Sequence, residues 1–430
     1  MATYTLDQQI YSFSFSQNSA FGLSFSASGS QSAMQVMQAY VTQVSKDILT
    51  DTTIQGLIGS DWTPVWGPIA WAEVTNTPSV HADNTMGCFY SPSQQQFIVA
   101  IAGTNINSPY GWLTEDTDVK TQVYWSTVSP GSGFGAGSIA EGSATGLNVL
   151  LNSMTDDNGN GLMAALLAYT QNLRNNGTSS VSIAVTGHSL GGALAPTLAL
   201  YMSDNRSQWD AFGATAISCL PTAGPSPGSS SWATYYEQSG ISYNAQYNSI
   251  DVVPHAWQIS FLADIPTLYV NNITPTDASP VNPIIGSLTA ALSAYSRSTI
   301  FDLFEPYTQV TPFNMMTGTF DTTTDNTVTN QYSVSEIQAV LPDALQGYVQ
   351  IFVNFARFVY QMVYQHTTAY DSLLNITDFI AEYDTILSKD KPATALALPS
   401  HADVIIKRFT GFDVKYFNSE NISKLAALKR

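Results

Sequence analysis

The chain has 430 residues, of which 44% are hydrophobic and only 11% are charged, and its formal net charge is −18 at pH 7. This hydrophobic content is sufficient for a large core, and the acidic balance argues against nucleic acids and anionic membranes as partners, because phosphate binding requires basic patches. The charge is uneven, since eight of the fourteen basic residues lie after residue 388. We expect this basic C-terminal segment, 389–430, either to dock on the acidic body or to extend into solvent.

The two cysteines, Cys88 and Cys219, lie in apolar, strand-like surroundings. We expect two buried free thiols and not a disulfide, and neither cysteine has the spacing of a metal site or of a cysteine nucleophile. The first residues lack a basic region followed by an apolar run, so no signal peptide is visible and the compartment stays open, with secretion weakly favoured.

In chain order, we interpret 1–430 as one domain that starts with an N-terminal extension, 1–84. Within this extension, 11–15 and 23–25 alternate between polar and apolar residues, which is typical of strands, and a helix is expected over 32–49. The run 97–102 is continuously apolar and ends in Gly103-Thr104, which predicts a buried strand. The next segment, 105–118, is expected to be either a mobile flap or a plain loop.

Ser189 lies at the centre of the most informative stretch. β-Branched residues alternate over 181–185 as in a buried strand, and apolar residues recur at helical spacing from Leu190 onward. Gly187 and Gly191 flank the serine, and a sharp turn from strand to helix needs small residues at those positions. The free N–H groups at the start of the helix can stabilise an oxyanion. We therefore predict that Ser189 is a nucleophile, and the alternative is a chance turn.

The partners of such a serine are expected downstream, first an acid and then a base. Asp251 follows a strand predicted over 241–249 and is the expected acid, with a helix-capping aspartate as the alternative. Five histidines are present. Chain order leaves two candidate bases, His366 and His401, and the latter has a carboxylate nearby in sequence.

Residues 258–365, between the acid and the base, form an insertion. Within it, 282–297 is a helix candidate and 317–330 is expected to be a polar loop. The stretch 345–363 is predicted to be a helix with one narrow polar stripe on an otherwise apolar surface. Polar side chains once per turn argue against a transmembrane segment. This helix either belongs to the core or forms part of a cap over an apolar pocket.

These motifs resemble those of the class 3 lipases, the fungal-lipase-like branch of the α/β-hydrolases, over 85–255 and again over 364–374. The resemblance implies a mostly parallel central sheet flanked by helices. It also implies hydrolysis of carboxylic esters by Ser189, His366 and Asp251 through an acyl-enzyme, without a metal or cofactor.

The resemblance further implies that Thr104 and the N–H of Leu190 form the oxyanion hole. It makes 105–118 the lid and His255 a structural residue. Class 3 lipases usually carry an arginine before the Gly-Thr pair, where this chain has Ala102.

Several functions stay open at this level. Lipidic esters, as for a triacylglycerol lipase, are the favoured substrates, bound in part at a lipid–water interface. A phospholipase A1, an aryl-ester (feruloyl-type) esterase and an acyltransferase would use the same acyl-enzyme. A non-catalytic lipid-binding protein with a vestigial site is the alternative from another class.

Overall fold

The computed structural model describes residues 2–73, 78–105, 119, 121–262, 264–269, 271–273, 305–331, 335, 349–397, 400, 402, 403, 405 and 406. The helix expected over 282–297, most of the flap at 105–118 and most of the basic segment at 389–430 lie outside these residues. No helix in the described part of the chain is long and apolar enough to cross a membrane.

Helices and strands alternate along most of the chain. The helices are Leu6–Ser16 (α1), Ala33–Thr50 (α2), Thr52–Ile58 (α3), Trp125–Val128 (α4), Glu141–Asn148 (α5), Leu162–Asn175 (α6), Leu190–Asp204 (α7), Ser230–Glu237 (α8), Ile259–Leu262 (α9), Thr322–Gln331 (α10), Val349–His366 (α11), Ala369–Leu373 (α12) and Thr377–Asp390 (α13). The strands are Leu23–Ser26 (β1), Thr63–Trp71 (β2), Ser79–Val80 (β3), Asn84–Ser91 (β4), Gln96–Ile101 (β5), Gln122–Tyr124 (β6), Ser138–Ala140 (β7), Ser182–His188 (β8), Ala216–Thr222 (β9), Ser242–Tyr243 (β10), Ala245–Asn248 (β11), Phe313–Met316 (β12) and Leu396–Ala397 (β13). Short 3₁₀ or π-helical turns cover Gln17–Ala20, Val149–Ser153, Arg206–Gln208, Val253–His255 and Ile265–Thr267.

The central sheet has the strand order β12-β11-β9-β8-β5-β4-β2, with β10 beside β9. Within this sheet, β5, β8, β9, β11 and β12 run parallel, whereas β4 and β2 are added antiparallel at one edge. The register aligns Val185 of β8 with Val99 of β5 and with Cys219 of β9. This mostly parallel sheet with helices on both sides confirms the predicted α/β fold class.

Each face of the sheet is covered by its own apolar core, because side chains alternate along a strand. On β8, Ile183 and Val185 pack with α6 and α7, whereas Ala184 packs with α1, α2 and α13 on the opposite face. All three side chains are fully buried. The nucleophile predicted at the end of β8 therefore lies on a strand that is enclosed from both sides.

Two local predictions from the sequence are wrong. The alternating stretch 11–15 lies in helix α1, where Ser12 and Ser14 are as fully buried as their apolar neighbours. The helix begins at a capping box, in which the Thr5 and Gln8 side chains each accept a hydrogen bond from the other residue's backbone N–H. Burial on all sides removes the distinction between polar and apolar faces on which an alternating pattern depends.

The second wrong prediction concerns 317–330, which contains helix α10 and not only a loop. Tertiary contacts hold this polar helix in place: Arg357 on α11 forms a bidentate ion pair with Asp325, with N–O distances of 2.6 and 2.8 Å. The preceding part of the insertion supplies β12, which extends the central sheet beside β11. The insertion is therefore partly built into the sheet.

Candidate active site

Ser189 lies between strand β8 and helix α7 with a φ of 61° and a ψ of −121°. A non-glycine residue in this region is strained, and the fold tolerates the strain because the turn is enclosed. A Cβ on Gly191 would lie 2.5 Å from the carbonyl oxygens of Ile101 and Ala102, and one on Gly187 would lie 2.3 Å from the Gly191 carbonyl oxygen. The two flanking glycines are therefore required by close backbone contacts.

The structure brings Ser189, His366 and Asp251 together. The Oγ of Ser189 lies 2.7 Å from the Nε2 of His366, and the Nδ1 of His366 lies 2.9 Å from the Oδ2 of Asp251. The side chain of His366 is 15% exposed and that of Asp251 is fully buried. An Nδ1–H that donates to the carboxylate leaves Nε2 free to accept the serine proton. His401, the alternative base, lies outside the described residues.

The carboxylate of Asp251 accepts further hydrogen bonds. The backbone N–H of Val253 donates to Oδ1 at 3.0 Å, and the hydroxyl of Tyr370 donates to Oδ2 at 2.9 Å. The same hydroxyl accepts the backbone N–H of Asn248 at 2.9 Å. Complete burial raises the pKa of Tyr370 well above its usual value, and the neighbouring Asp251 charge adds to this effect. Tyr370 therefore remains a hydroxyl donor.

His188, which precedes Ser189, contacts the backbone of His366 through its imidazole ring. Its Nε2 donates to the backbone carbonyl oxygen of His366 at 2.6 Å, so its Nδ1 accepts from the Thr222 hydroxyl at 2.9 Å. Burial lowers the pKa of His188 well below its usual value, and the adjacent His366 lowers it further. The ring is therefore neutral, and its tautomer is determined by these two partners.

Polar side chains in the last two turns of α11, one of them from the stripe predicted on 345–363, form hydrogen bonds with neighbouring segments. Gln361 exchanges two hydrogen bonds with the backbone of Asp321, and Gln365 donates to the carbonyl oxygen of Thr319 at 2.8 Å. The side chain of Asn248 donates to the backbone carbonyl oxygen of Gln365 at 2.9 Å. These hydrogen bonds end beside His366, the last residue of the helix. They therefore determine where the histidine lies.

The end of β5 lies against the serine turn. A Cβ on Gly103 would lie 3.0 Å from the carbonyl oxygen of His188 and 3.3 Å from the Cβ of Ser189. The next residue is Thr104, which is half-buried, and the predicted second donor, Leu190, starts helix α7. The Nδ1 of His255, which is buried, lies 2.7 Å from the carbonyl oxygen of Asp251.

Sequence reasoning missed Thr222, Asn248 and Gln365 as supports of the site. They lie in separate elements, and each contacts a residue 34 or 117 positions away. Their only sequence signal is that each is a polar residue at or near the C-terminal end of a strand or helix.

Comparisons with known proteins agree with this picture. Residues 98–261 match the model of the family described as lipase (class 3), whereas no curated protein sequence matches the chain. Among solved structures, the M37 lipase is 22% identical with a TM-score of 0.57, over 90% of this chain and 100% of that chain. The Rhizomucor miehei lipase propeptide complex is 20% identical with a TM-score of 0.39, over 60% of this chain and 64% of that chain. Lipase II from Rhizopus niveus is 18% identical with a TM-score of 0.36, over 55% and 79%.

The fold shared with the M37 lipase is the α/β-hydrolase fold. The match of residues 98–261 to the lipase (class 3) model indicates a serine-type ester hydrolase. Within that class, residues 98–261 are similar to the class 3 lipases. The chain is therefore a serine lipase or esterase.

Proposed function

We propose that the chain hydrolyses lipidic carboxylic esters, with Ser189 as nucleophile, His366 as general base and acid, and Asp251 as the orienting carboxylate. The observation that carries this proposal is the continuous line of hydrogen bonds from Ser189 Oγ through both nitrogens of His366 to Asp251. A general base must lie within hydrogen-bond reach of the proton that it removes, and this pair is 2.7 Å apart.

In the first half of the reaction, Ser189 Oγ attacks the acyl carbonyl carbon while His366 Nε2 takes the hydroxyl proton. The resulting imidazolium donates that proton to the oxygen of the leaving alcohol, and the C–O ester bond breaks. In the second half, a water attacks the acyl-enzyme, His366 takes a proton from the water, and the proton returns to Ser189 as the acid leaves. Asp251 holds the Nδ1–H of the imidazole throughout.

The negative charge on the tetrahedral intermediate needs two donors. We assign these to two backbone N–H groups, that of Leu190, the first residue of α7, and that of Thr104, which follows Gly103 beside the serine. The start of a 15-residue helix also provides a favourable potential for an anion.

A preference for lipidic substrates is supported by an apolar cluster next to the site. Its buried members are Val119, Ala140, Leu262, Ile265, Tyr269, Ile273, Tyr307 and Phe358. Half-buried Ile250 and Val252, which flank the acid, and Met362, which lies one turn before His366, pack against it. The cluster therefore borders both the acid loop and the helix that carries the base, where an acyl chain would bind. The insertion 258–365 contributes most of it, which supports its role as a cap.

The test compares hydrolysis of p-nitrophenyl esters from acetate to palmitate by the wild type, Ser189→Ala, His366→Ala and His401→Ala. His81→Ala is the control histidine variant. We expect the first two variants to lose about 10⁴-fold or more in kcat while staying folded, and the other two to remain active. Loss of activity in His401→Ala alone among the histidine variants would refute the base assignment. A strong preference for acetate over octanoate would refute the lipidic substrate. A wild type that neither hydrolyses these esters nor reacts with an alkyl phosphonate would refute the proposal altogether.

A further inference from the structure

The amide of Gly103 has a partner far away in the sequence. Its backbone N–H donates to the Oδ1 of Asn18 at 3.0 Å, across 85 residues. Asn18 is half-buried in the turn Gln17–Ala20, which follows helix α1. The N-terminal part of the chain therefore reaches the end of β5 with an amide side chain.

This contact lies one peptide unit from the oxyanion donor assigned to Thr104. On the other side of Gly103, the N–H of Ala102 donates to the carbonyl oxygen of Thr85 in β4, at 2.9 Å. The pairing with β4 thus ends at Ala102, and Asn18 holds the next N–H group. Without Asn18, the Gly103 N–H would be left without this acceptor in a partly buried position, which favours rotation of the peptide units that follow.

Gly103 and its neighbours leave little space for such a rotation, so even a small one would change the contact with the serine turn. Gly103 packs so closely on the serine turn that even a Cβ would lie 3.0 Å from the His188 carbonyl oxygen. Ala102 contributes only a buried methyl group, so it offers no polar group that could hold the loop. The same N-terminal segment places the ring of Phe15 against His188, with centroids 4.9 Å apart. The N-terminal segment therefore contacts the residues on both strands that flank the serine turn, Gly103 after β5 and His188 at the end of β8.

We infer that Asn18 is a positioning residue that holds the Gly103–Thr104 backbone in the orientation required for oxyanion stabilisation. Asn18 acts through its hydrogen bond to the Gly103 amide. This inference rests on the proposed function, because it gives the oxyanion role to Thr104. A donor in a pre-organised hole stabilises the transition state far more than the ground state, so the loss of Asn18 must lower kcat more than it raises KM.

The test uses the full-length protein with Asn18→Ala and with Asn18→Leu, which keeps a similar volume but has no acceptor. Gln17→Ala is the matched control, because Gln17 is a buried amide in the same turn whose Nε2 donates to the Phe13 carbonyl oxygen and to the Ser16 hydroxyl. We measure kcat and KM for p-nitrophenyl butyrate, inhibition by 1-butaneboronic acid, and thermal unfolding. Boronic acids form a tetrahedral adduct with the serine and therefore report on the oxyanion hole.

We expect both Asn18 variants to lose about tenfold to hundredfold in kcat, which is less than the loss from removing a donor outright. KM should stay within about threefold, and boronic acid should bind more weakly by a factor similar to the kcat loss. Gln17→Ala should keep its kcat and boronate affinity even if it unfolds at a lower temperature.

Three results would overturn the inference. These are an unchanged kcat in both Asn18 variants, an equal loss in Gln17→Ala, and failure of both Asn18 variants to fold, which would make the residue purely structural. In each case an active wild type leaves the proposed function standing. A wild type inert towards both the ester and the boronic acid refutes the proposed function, and with it the role of Asn18.

Discussion

Replacement of Tyr370 by phenylalanine tests how strongly the Asp251 carboxylate, the proposed orienting group, depends on its neighbours. The hydroxyl of Tyr370 is fully buried, donates to Asp251 at 2.9 Å and accepts the N–H of Asn248 at 2.9 Å. The substitution keeps the ring, so packing is preserved and only these two hydrogen bonds are lost. Tyr383→Phe is the matched control, because its buried hydroxyl donates to the backbone carbonyl oxygen of Ser16, away from the Asp251 carboxylate.

The two lost bonds determine the size of the effect. A hydrogen bond to a charged group contributes about 1.5–3 kcal/mol, and the buried N–H of Asn248 left without its acceptor costs about 1–3 kcal/mol. We therefore expect Tyr370→Phe to lower the free energy of unfolding by about 2.5–6 kcal/mol. The control loses one neutral hydrogen bond and should cost about 0.5–1.5 kcal/mol.

Activity should follow a different scale. Asp251 keeps the N–H of Val253 and His366 as partners, so the imidazole is still oriented, though less tightly. We expect kcat to fall about tenfold, which corresponds to about 1.4 kcal/mol of transition-state stabilisation. Urea unfolding and steady-state hydrolysis of p-nitrophenyl butyrate measure the two effects on the same preparations. The reasoning is refuted if Tyr370→Phe is no less active and no less stable than Tyr383→Phe.

Three further predictions concern the frame of the site. Gly191→Ala should destabilise the protein by more than about 3 kcal/mol or prevent folding, because its Cβ would lie 2.5 Å from two backbone carbonyl oxygens. Gly56→Ala is the control, since a Cβ there would meet nothing within 4 Å, and it should be neutral or stabilising in denaturant titrations. Burial raises the pKa of Asp371 to about 7, with help from a nearby aspartate, so the folded state binds a proton more tightly than the unfolded state and stability is lost as pH rises towards 7. Asp371→Asn should therefore unfold at an increasingly higher temperature than the wild type as the pH rises from 5 to 8, by a few degrees at most, and a difference that shrinks over this range would contradict the sign. Asp325→Ala should lower the free energy of unfolding by about 1–3 kcal/mol, because Arg357, which is 16% exposed, loses its bidentate partner. Equal urea midpoints for the variant and the wild type would show that the ion pair contributes nothing to stability.

Local patterns in the sequence were sufficient to select the three residues whose side chains the structure brings together. The turn around Ser189 has a signal within nine residues, because a buried strand, two obligatory glycines and a helix follow one another. Asp251 and His366 were chosen by chain order and by short motifs, and the fold brings their side chains within hydrogen-bond distance of one another. The fold class followed from the same alternation of strands and helices.

The parts that could not be predicted depend on long-range contacts. Helix α10 looks like a loop in the sequence because its stabilising partners, Arg357 and Gln361, lie on a helix that comes later in the chain. Helix α1 looks like a strand because its serines are buried together with its phenylalanines. Asn18 has no local signal at all, since its contact with Gly103 exists only once the N-terminal turn is packed beside β5.

The wide spread of the site along the chain also determines when chemistry can begin during synthesis. The segment that matches the family model, 98–261, contains Ser189 and Asp251 but not His366. A nascent chain that has folded the turn around Ser189 still lacks His366 until that residue and helix α11, which carries it, have emerged from the ribosome. The proposed enzyme is therefore inactive until α11 has been synthesised and has placed His366 beside Ser189 and Asp251.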